Sequence, residues 1–396
     1  MTKYDDLFDE TTPTNNVFRD KRALDPLTEP TEILARDTQE RTLARILHGV
    51  HDNYLPPTVS IYGPPGTGKT ITTRRICREF ADRTPELAVE YVNLKECRTL
   101  FSAANEIHAE LTSTKLGTYE GIDGVFTGIW RALEDYPEWT ILILDEIDHL
   151  RHDANYDPSD FFYRLLRGEG RLARDITLSV WLLSNDLVQT DLDLDSRVTS
   201  AMSDEAVYFP PYTHDELDHL LHTRLQNAFT AGALPEDVRT YGVTEAARRW
   251  GDARKTLTLF RQAGETANDH GLDTVTQECI EMNLETAEDT AIIEKLHSLP
   301  HNHLLTLYLI AITTNDDTPT TTSTLTQTLQ QFDEETAFGQ RRIRSIVTDL
   351  ETMGFVDTWT ESTHTGHTKH ITPAINPALI EDATTRLRQT HDSSGT

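Results

Sequence analysis

Lysine and cysteine are scarce in this chain, and it has no long apolar run. Of 396 residues, 8 are lysine and 3 are cysteine. Cys77, Cys97 and Cys279 lie far apart with no C-x-x-C pair, which argues against a zinc ribbon or a disulfide framework and fits a reducing compartment. No stretch approaches the roughly 18 apolar residues of a membrane-crossing helix, and Met1 to Glu10 is acidic without the apolar centre of a secretion signal. A cytoplasmic protein with no membrane partner is expected. Net basic charge is also missing: 36 Lys and Arg stand against 65 Asp and Glu, a formal charge of −29. The acids are dispersed and apolar periodicity persists between them, unlike an acidic tail or a disordered acidic protein. They suit the surface of a halophile's protein, because carboxylates keep it hydrated where the Debye length falls to about 3 Å at 1 M salt.

The length exceeds one ordinary domain, so two or three are expected. Residues 1–30 read as a polar, mobile arm, and Thr31 to Val50 has the apolar spacing of a helix. Residues 31–210 read as an α/β core with a parallel sheet, its strands at Thr58–Tyr62, Val89–Leu94, Thr140–Leu144, Thr177–Leu183 and Ala206–Phe209 alternating with helices. Pro210-Pro211 breaks that alternation. Residues 211–290 read as helices only, opened by Thr213 as N-cap with Glu216 completing a capping box. Residues 291–396 combine helices at Leu304–Ile312 and Arg341–Met353 with a hairpin around Gly366, which suggests a winged helix and a polar tail. Thr313 to Thr328 holds nine threonines and is expected to be partly flexible.

The densest chemical signal is Gly63-Pro64-Pro65-Gly66-Thr67-Gly68-Lys69-Thr70-Ile71, directly after a strand. Glycines let backbone N–H groups close around phosphates, lysine reaches the β and γ oxygens, and Thr70 offers a hydroxyl to Mg²⁺ at a helix N-terminus. ATP or ADP with Mg²⁺ is the expected ligand. Ile141-Leu-Ile-Leu-Asp-Glu-Ile-Asp148 is a buried strand ending in acids, where Asp145 would help hold the metal and Glu146 would orient and deprotonate water. Asp148 is read as no more than a cap. After a further strand, Asn185 would stand beside the γ-phosphate if that strand neighbours the loop strand.

These motifs, with Val17-Phe-Arg-Asp20, Arg36, Leu194-Asp-Ser-Arg-Val198, Phe209-Pro-Pro-Tyr212, Glu216-Leu217 and Gly251-Asp-Ala-Arg254, resemble the AAA+ ATPases. More narrowly, the series resembles the archaeal replication initiators related to the eukaryotic origin recognition complex and cell-division-control helicase loaders, over nearly the whole chain. The resemblance implies that Arg197 is an arginine finger and Arg254 a second phosphate sensor; a guanidinium fork suits both tasks. It also assigns Tyr212, whose ring could pack on adenine, and Arg224 to the nucleotide. A helical insertion of the core, here roughly Thr99 to Asp135, touches DNA in that family.

In the C-terminal module Ile343, Ile346, Val347 and Leu350 share one helical face, which leaves Arg341, Arg342 and Arg344 for phosphates and guanine edges. His367 and Lys369 in the wing could reach the neighbouring groove. Charges over 336–372 balance, so base-edge contacts and shape must carry more of the binding than counterion release. The expectation is an ATP-switched replication initiator whose partners are double-stranded origin DNA, the replicative helicase and further copies or paralogues. A nucleotide-holding DNA-binding regulator without needed turnover, or a clamp-loader-like remodelling ATPase, is the alternative.

Overall fold

A computed structural model describes residues 16–97, 99–152, 157–167, 177–185, 194–203, 205–314, 318–332, 339–363, 366–381 and 383–384. The chain divides into two compact units, Met1–Ile280 and Glu281–Thr396. Core and helical lid therefore form one unit.

In the first unit five parallel strands, β1 (Thr58–Tyr62), β2 (Leu87–Asn93), β3 (Trp139–Asp145), β4 (Thr177–Ser184) and β5 (Ala206–Tyr208), lie in the order β2-β3-β4-β1-β5. All seven residues of β3 are buried, its Ile141–Leu144 run apolar as a parallel strand covered on both faces requires and Asp145 at its carboxyl end. On one face α1 (Asp37–His48) and α2 (Lys69–Ala81) close a core that includes Leu43, Leu47, Cys77, Ile143 and Trp181. On the other, α3 (Leu100–Thr112), α4 (Gly121–Leu133) and α5 (Pro158–Arg167) bury Leu100, Ile107, Phe126, Ile129 and Phe162. Within the stretch expected to be a DNA-touching insertion, α3 and α4 thus serve the core. The turn between them is exposed, with Tyr119 87% accessible.

Trp181, fully buried, donates its ring N–H to Ser179 Oγ at 3.0 Å, and Ser179 in turn donates to Pro56 O at 2.6 Å. Trp181→Ala is expected to destabilise this unit by about 3–5 kcal/mol, through lost transfer energy plus a cavity. Urea unfolding followed by a probe confined to the first unit checks this, and a cost below about 1 kcal/mol would contradict the packing described.

A four-residue helix, α6 (Ser196–Thr199), precedes β5. The lid consists of α7 (His214–Ala228), α8 (Glu236–Arg249), α9 (Ala253–Asp269) and the start of α10 (Gln277–Ser298). The expected capping box is formed: Glu216 N donates to Thr213 Oγ1 and Thr213 N to Glu216 Oε2. The sequence pattern put the last boundary at 290/291, but α10 contains neither Gly nor Pro and runs unbroken across that point.

The arm departs from expectation. Residues 1–15 lie outside the described residues, but Val17 to Arg36 is docked rather than mobile. Phe18 stacks on Phe229 with ring centroids 5.2 Å apart, and the N–H groups of Arg19 and Asp20 donate to Ala228 O at 2.7 and 3.1 Å.

The second unit contains α11 (His301–Thr313), β6 (Thr320–Thr321), α12 (Thr322–Phe332), α13 (Gln340–Thr352), β7 (Val356–Thr363) and β8 (Gly366–Pro373). Its antiparallel sheet has the order β6-β8-β7. Leu304, Leu307, Ile343, Ile346, Leu350 and Ile371 fill its core. Of the threonine-rich stretch expected to be partly flexible, residues 315–317 lie outside the described residues, while residues 320–328 are ordered in β6 and α12. Thr326 and Thr328 return their hydroxyls to Thr322 O and Thr324 O at 2.7 and 3.0 Å, while Leu325 and Leu329, one turn apart, are buried. That leucine spacing was the helical signal beneath the composition.

Candidate nucleotide site

The loop 63–68 leaves the end of β1 and enters α2 at Lys69. Gly66 and Gly68 take φ of 70° and 88°, values that side chains rarely adopt. A Cβ on Gly66 would also lie 1.8 Å from Asp252 Oδ1, so the lid sits directly on the loop. Gly68 provides no side-chain cap, which leaves the first N–H groups of α2 for an anion.

Lys69 is buried; its Nζ donates to Gly63 O at 2.5 Å and Pro64 O at 3.0 Å. Burial holds its pKa below the usual lysine range, opposed by the charges of Asp145, Glu146 and Asp148. Thr70 Oγ1 donates to Asp145 Oδ2 at 2.7 Å. A hydroxyl and a carboxylate in contact are the hard oxygen donors that suit Mg²⁺, an ion usually held by one or two protein groups together with phosphates and water. The pair therefore fits an ion shared with a nucleotide; among the described residues no cluster of three or more His, Cys, Asp or Glu could hold a metal.

Tyr91, which sequence reasoning missed, donates its hydroxyl to the same Asp145 oxygen at 2.9 Å. Burial, assisted by Asp145, pushes the Tyr91 hydroxyl up to about 12, so it remains a donor over the whole physiological range. It belongs to β2, which pairs with β3.

Glu146 has φ of 59°, a strained value for a non-glycine residue, while its N–H donates to Asp145 Oδ1 at 2.9 Å. β4 lies between β3 and β1, which brings Asn185 into the cleft beside the loop. Its amide donates to Asp148 Oδ2 at 2.6 Å, and Asp148 Oδ1 is buried without a partner among the described residues. Asp148 thus orients Asn185, a role the sequence did not reveal. Asp186 lies outside the described residues.

These groups line a cleft of about 480 Å³. Pro65 to Ile71, Asp145, Glu146 and Asn185 form its floor, Tyr212, Arg224 and Arg254 its lid side, and Pro26 to Pro30 with Glu32 to Leu34 its outer wall. Gly63 and Pro64 do not line it; their carbonyls accept from Lys69. The arm's share was unforeseen.

Two of the expected nucleotide contacts have partners of their own. Tyr212 lines the cleft and is buried, and the Arg36 guanidinium lies 3.6 Å from its ring centroid, stacked on one face of the ring that was expected to meet adenine. Arg36, 1% exposed, also donates to Thr67 O at 2.8 Å and Pro210 O at 2.9 Å, which ties the loop to the start of the lid. Arg224 lines the cleft, but its Nε donates to Ala23 O at 2.8 Å and its Nη2 to Asp25 O at 2.6 Å.

Arg197 is not brought to this cleft. It sits on α6 with Nη2 2.6 Å from Asp195 Oδ2 and 3.7 Å from Asp160 Oδ1, its side chain 63% exposed. In the second unit Arg341, Arg342 and Arg344 are exposed on α13. Lys369 donates to Glu351 Oε2 at 2.9 Å, so its ammonium is drawn back toward the end of α13. The side chain of His367 lies outside the described residues.

Residues 56–183 match the family model of an AAA domain, and residues 218–284 match the Cdc6 AAA+ ATPase-type lid domain. The chain is 30% identical to ORC1-type DNA replication protein 1 of Methanosarcina mazei, covering 96% of this chain and 94% of that one. It is 29% identical to the ORC1-type DNA replication protein of Pyrococcus abyssi, with 96% and 92% covered. Among solved structures the Aeropyrum pernix ORC1 protein in complex with DNA matches with a TM-score of 0.71 at 26% identity, over 93% of this chain and 97% of that chain. With its phosphate loop, Asp-Glu strand end and lid assembled around one cleft, and with full-length likeness to these relatives, the chain belongs to the ORC1/Cdc6 family of AAA+ replication proteins.

Proposed function

We propose that this protein is an ATP-dependent replication initiator that binds double-stranded origin DNA and helps recruit the replicative helicase, with ATP binding and slow hydrolysis as its switch. The observation that carries this reading is a single cleft whose floor belongs to the core and whose roof belongs to the lid, in a chain that also holds the second unit's helices and hairpin. Lys69 and the α2 N–H groups would bind phosphates. Thr70 and Asp145 would hold Mg²⁺, which supplies charge neutralisation when bound. Glu146 would accept the proton of the attacking water, Asn185 would position the γ-phosphate end, and Arg254 would report the phosphates to the lid. Such contacts favour the closed arrangement of core and lid, and loss of the γ-phosphate removes part of that preference. The solvent-facing position of Arg197 supports action on a neighbouring copy's nucleotide.

The second unit would act as a winged helix, with Arg341, Arg342 and Arg344 of α13 in the major groove and His367 in the wing. Lys369, paired with Glu351, would have to exchange partners to meet a phosphate. The acidic surface suits a salt-rich cytoplasm, where phosphate contacts contribute less and base-edge contacts more. The test is retention of genomic duplex fragments at high salt with ATP, ADP or no nucleotide, followed by footprinting. Selective, nucleotide-dependent protection of repeats beside the protein's own origin is expected. A specificity ratio near one would point instead to a remodelling ATPase without sequence choice.

A further inference from the structure

The family resemblance assigns Arg224 to the nucleotide, yet its guanidinium is engaged with backbone of the arm. Nε and Nη2 reach Ala23 O and Asp25 O, two carbonyls immediately before the arm residues that form the outer wall of the cleft. The arm is fixed on both sides of that point. Before it, Phe18 stacks on Phe229, and only a glycine at 264 leaves room, since a Cβ there would lie 2.3 Å from Phe18 Cζ. The same stretch continues into a 3₁₀ turn, Lys21–Leu24, whose Leu24 is fully buried. After it, Arg36 is locked between Thr67 O and Pro210 O. Between these anchors Leu27 is 83% exposed and no regular element braces the chain; farther along, Glu29 and Pro30 meet Arg74 and Arg75 of α2 at 3.6 and 3.4 Å, so the two Arg224 bonds fix the start of the wall to the lid while α2 holds its middle.

We propose that Arg224 is a positioning residue that clamps the arm across the cleft and sets how slowly nucleotide leaves, rather than a phosphate ligand. This rests on the nucleotide reading of the cleft. A planar guanidinium fork can hold two neighbouring carbonyl acceptors at once, which a lysine ammonium on a single flexible stem does poorly. Burial holds the Arg224 pKa below its usual value, consistent with a group placed for packing and bonding within the wall. Lid, arm and loop then move as a unit, and nucleotide release requires that the wall detach.

The test uses the full chain. Arg224→Ala is expected to speed release of a fluorescent ADP by about tenfold or more, since one hydrogen bond to a charged group is worth roughly a decade. Affinities for ATP, ADP and AMP should fall by similar factors, and limited trypsin cleavage after Lys21 and Arg22, both exposed, should accelerate. Phe18→Ala, which loosens the arm outside the cleft, should produce the same two changes, and the double variant should be little worse than either single one. If Arg224→Ala does not fold, Arg224→Lys and Phe18→Ala carry the same comparison. A loss that grows from AMP to ATP while arm cleavage stays unchanged would overturn the clamp and restore a phosphate contact. If the unaltered protein binds none of the three nucleotides, the nucleotide reading fails, and arm cleavage alone still decides whether Arg224 holds the arm.

Discussion

Lys69→Ala is expected to lower ATP affinity by about 100-fold or more. The ammonium is buried at the head of α2 and bonded to Gly63 O and Pro64 O, a position from which it can turn toward phosphates without leaving the loop. Charge-assisted bonds contribute about 1.5–3 kcal/mol each, and two to phosphate oxygens amount to two decades or more. Desolvation already disfavours this charge in the folded protein, and a polyanion beside it would restore the charged form, so the coupling between Lys69 and nucleotide is stronger than at a surface lysine. Isothermal titration with ATP in the presence of Mg²⁺ reads the effect. An affinity within about threefold of the unaltered protein would mean that the loop amides alone hold the phosphates.

Glu146→Gln is expected to separate binding from turnover. The amide keeps the shape of the carboxylate but cannot take a proton, so hydrolysis should fall by about 10²–10³, within the usual worth of a general base, while ATP affinity stays within a few-fold. The left-handed φ of Glu146 aims it from the end of β3 at some cost in strain, which the surrounding bonds of Asp145 hold in place. Single-turnover phosphate release is the measurement. Turnover close to that of the unaltered protein would move the role of base to another carboxylate of the cleft, with Asp148 the candidate that is not paired with Thr70 for Mg²⁺. If the variant loses turnover and the protein stays fixed on DNA, hydrolysis is the reset step of the switch.

Much of the site was legible because each of its motifs is local. Loop 63–70 must be glycine-rich to bend at φ near 70–90°, and the middle of β3, Ile141 to Leu144, must be apolar to lie inside a covered parallel sheet. The threonine-rich stretch misled for a physical reason: its composition resembles a linker, but two leucines one turn apart supply enough buried surface to make a helix. The arm misled likewise, since a polar segment with a few apolar residues has no periodicity until Phe18 finds the space at Gly264.

The sequence by itself determined the strands, the phosphate loop, the acids at the end of β3 and the cap of α7, because each depends on residues within a few positions of one another and on backbone geometry that few side chains satisfy. Only the tertiary structure decided what Tyr91, Asp148, Arg36 and Arg224 do. A lone tyrosine, aspartate or arginine is compatible with many surfaces, and the partners that give these their roles stand 54, 37, 31 and 201 positions away. Those distances are closed only when the parallel order of the sheet and the docking of arm and lid bring strand ends, loop and arm to one cleft.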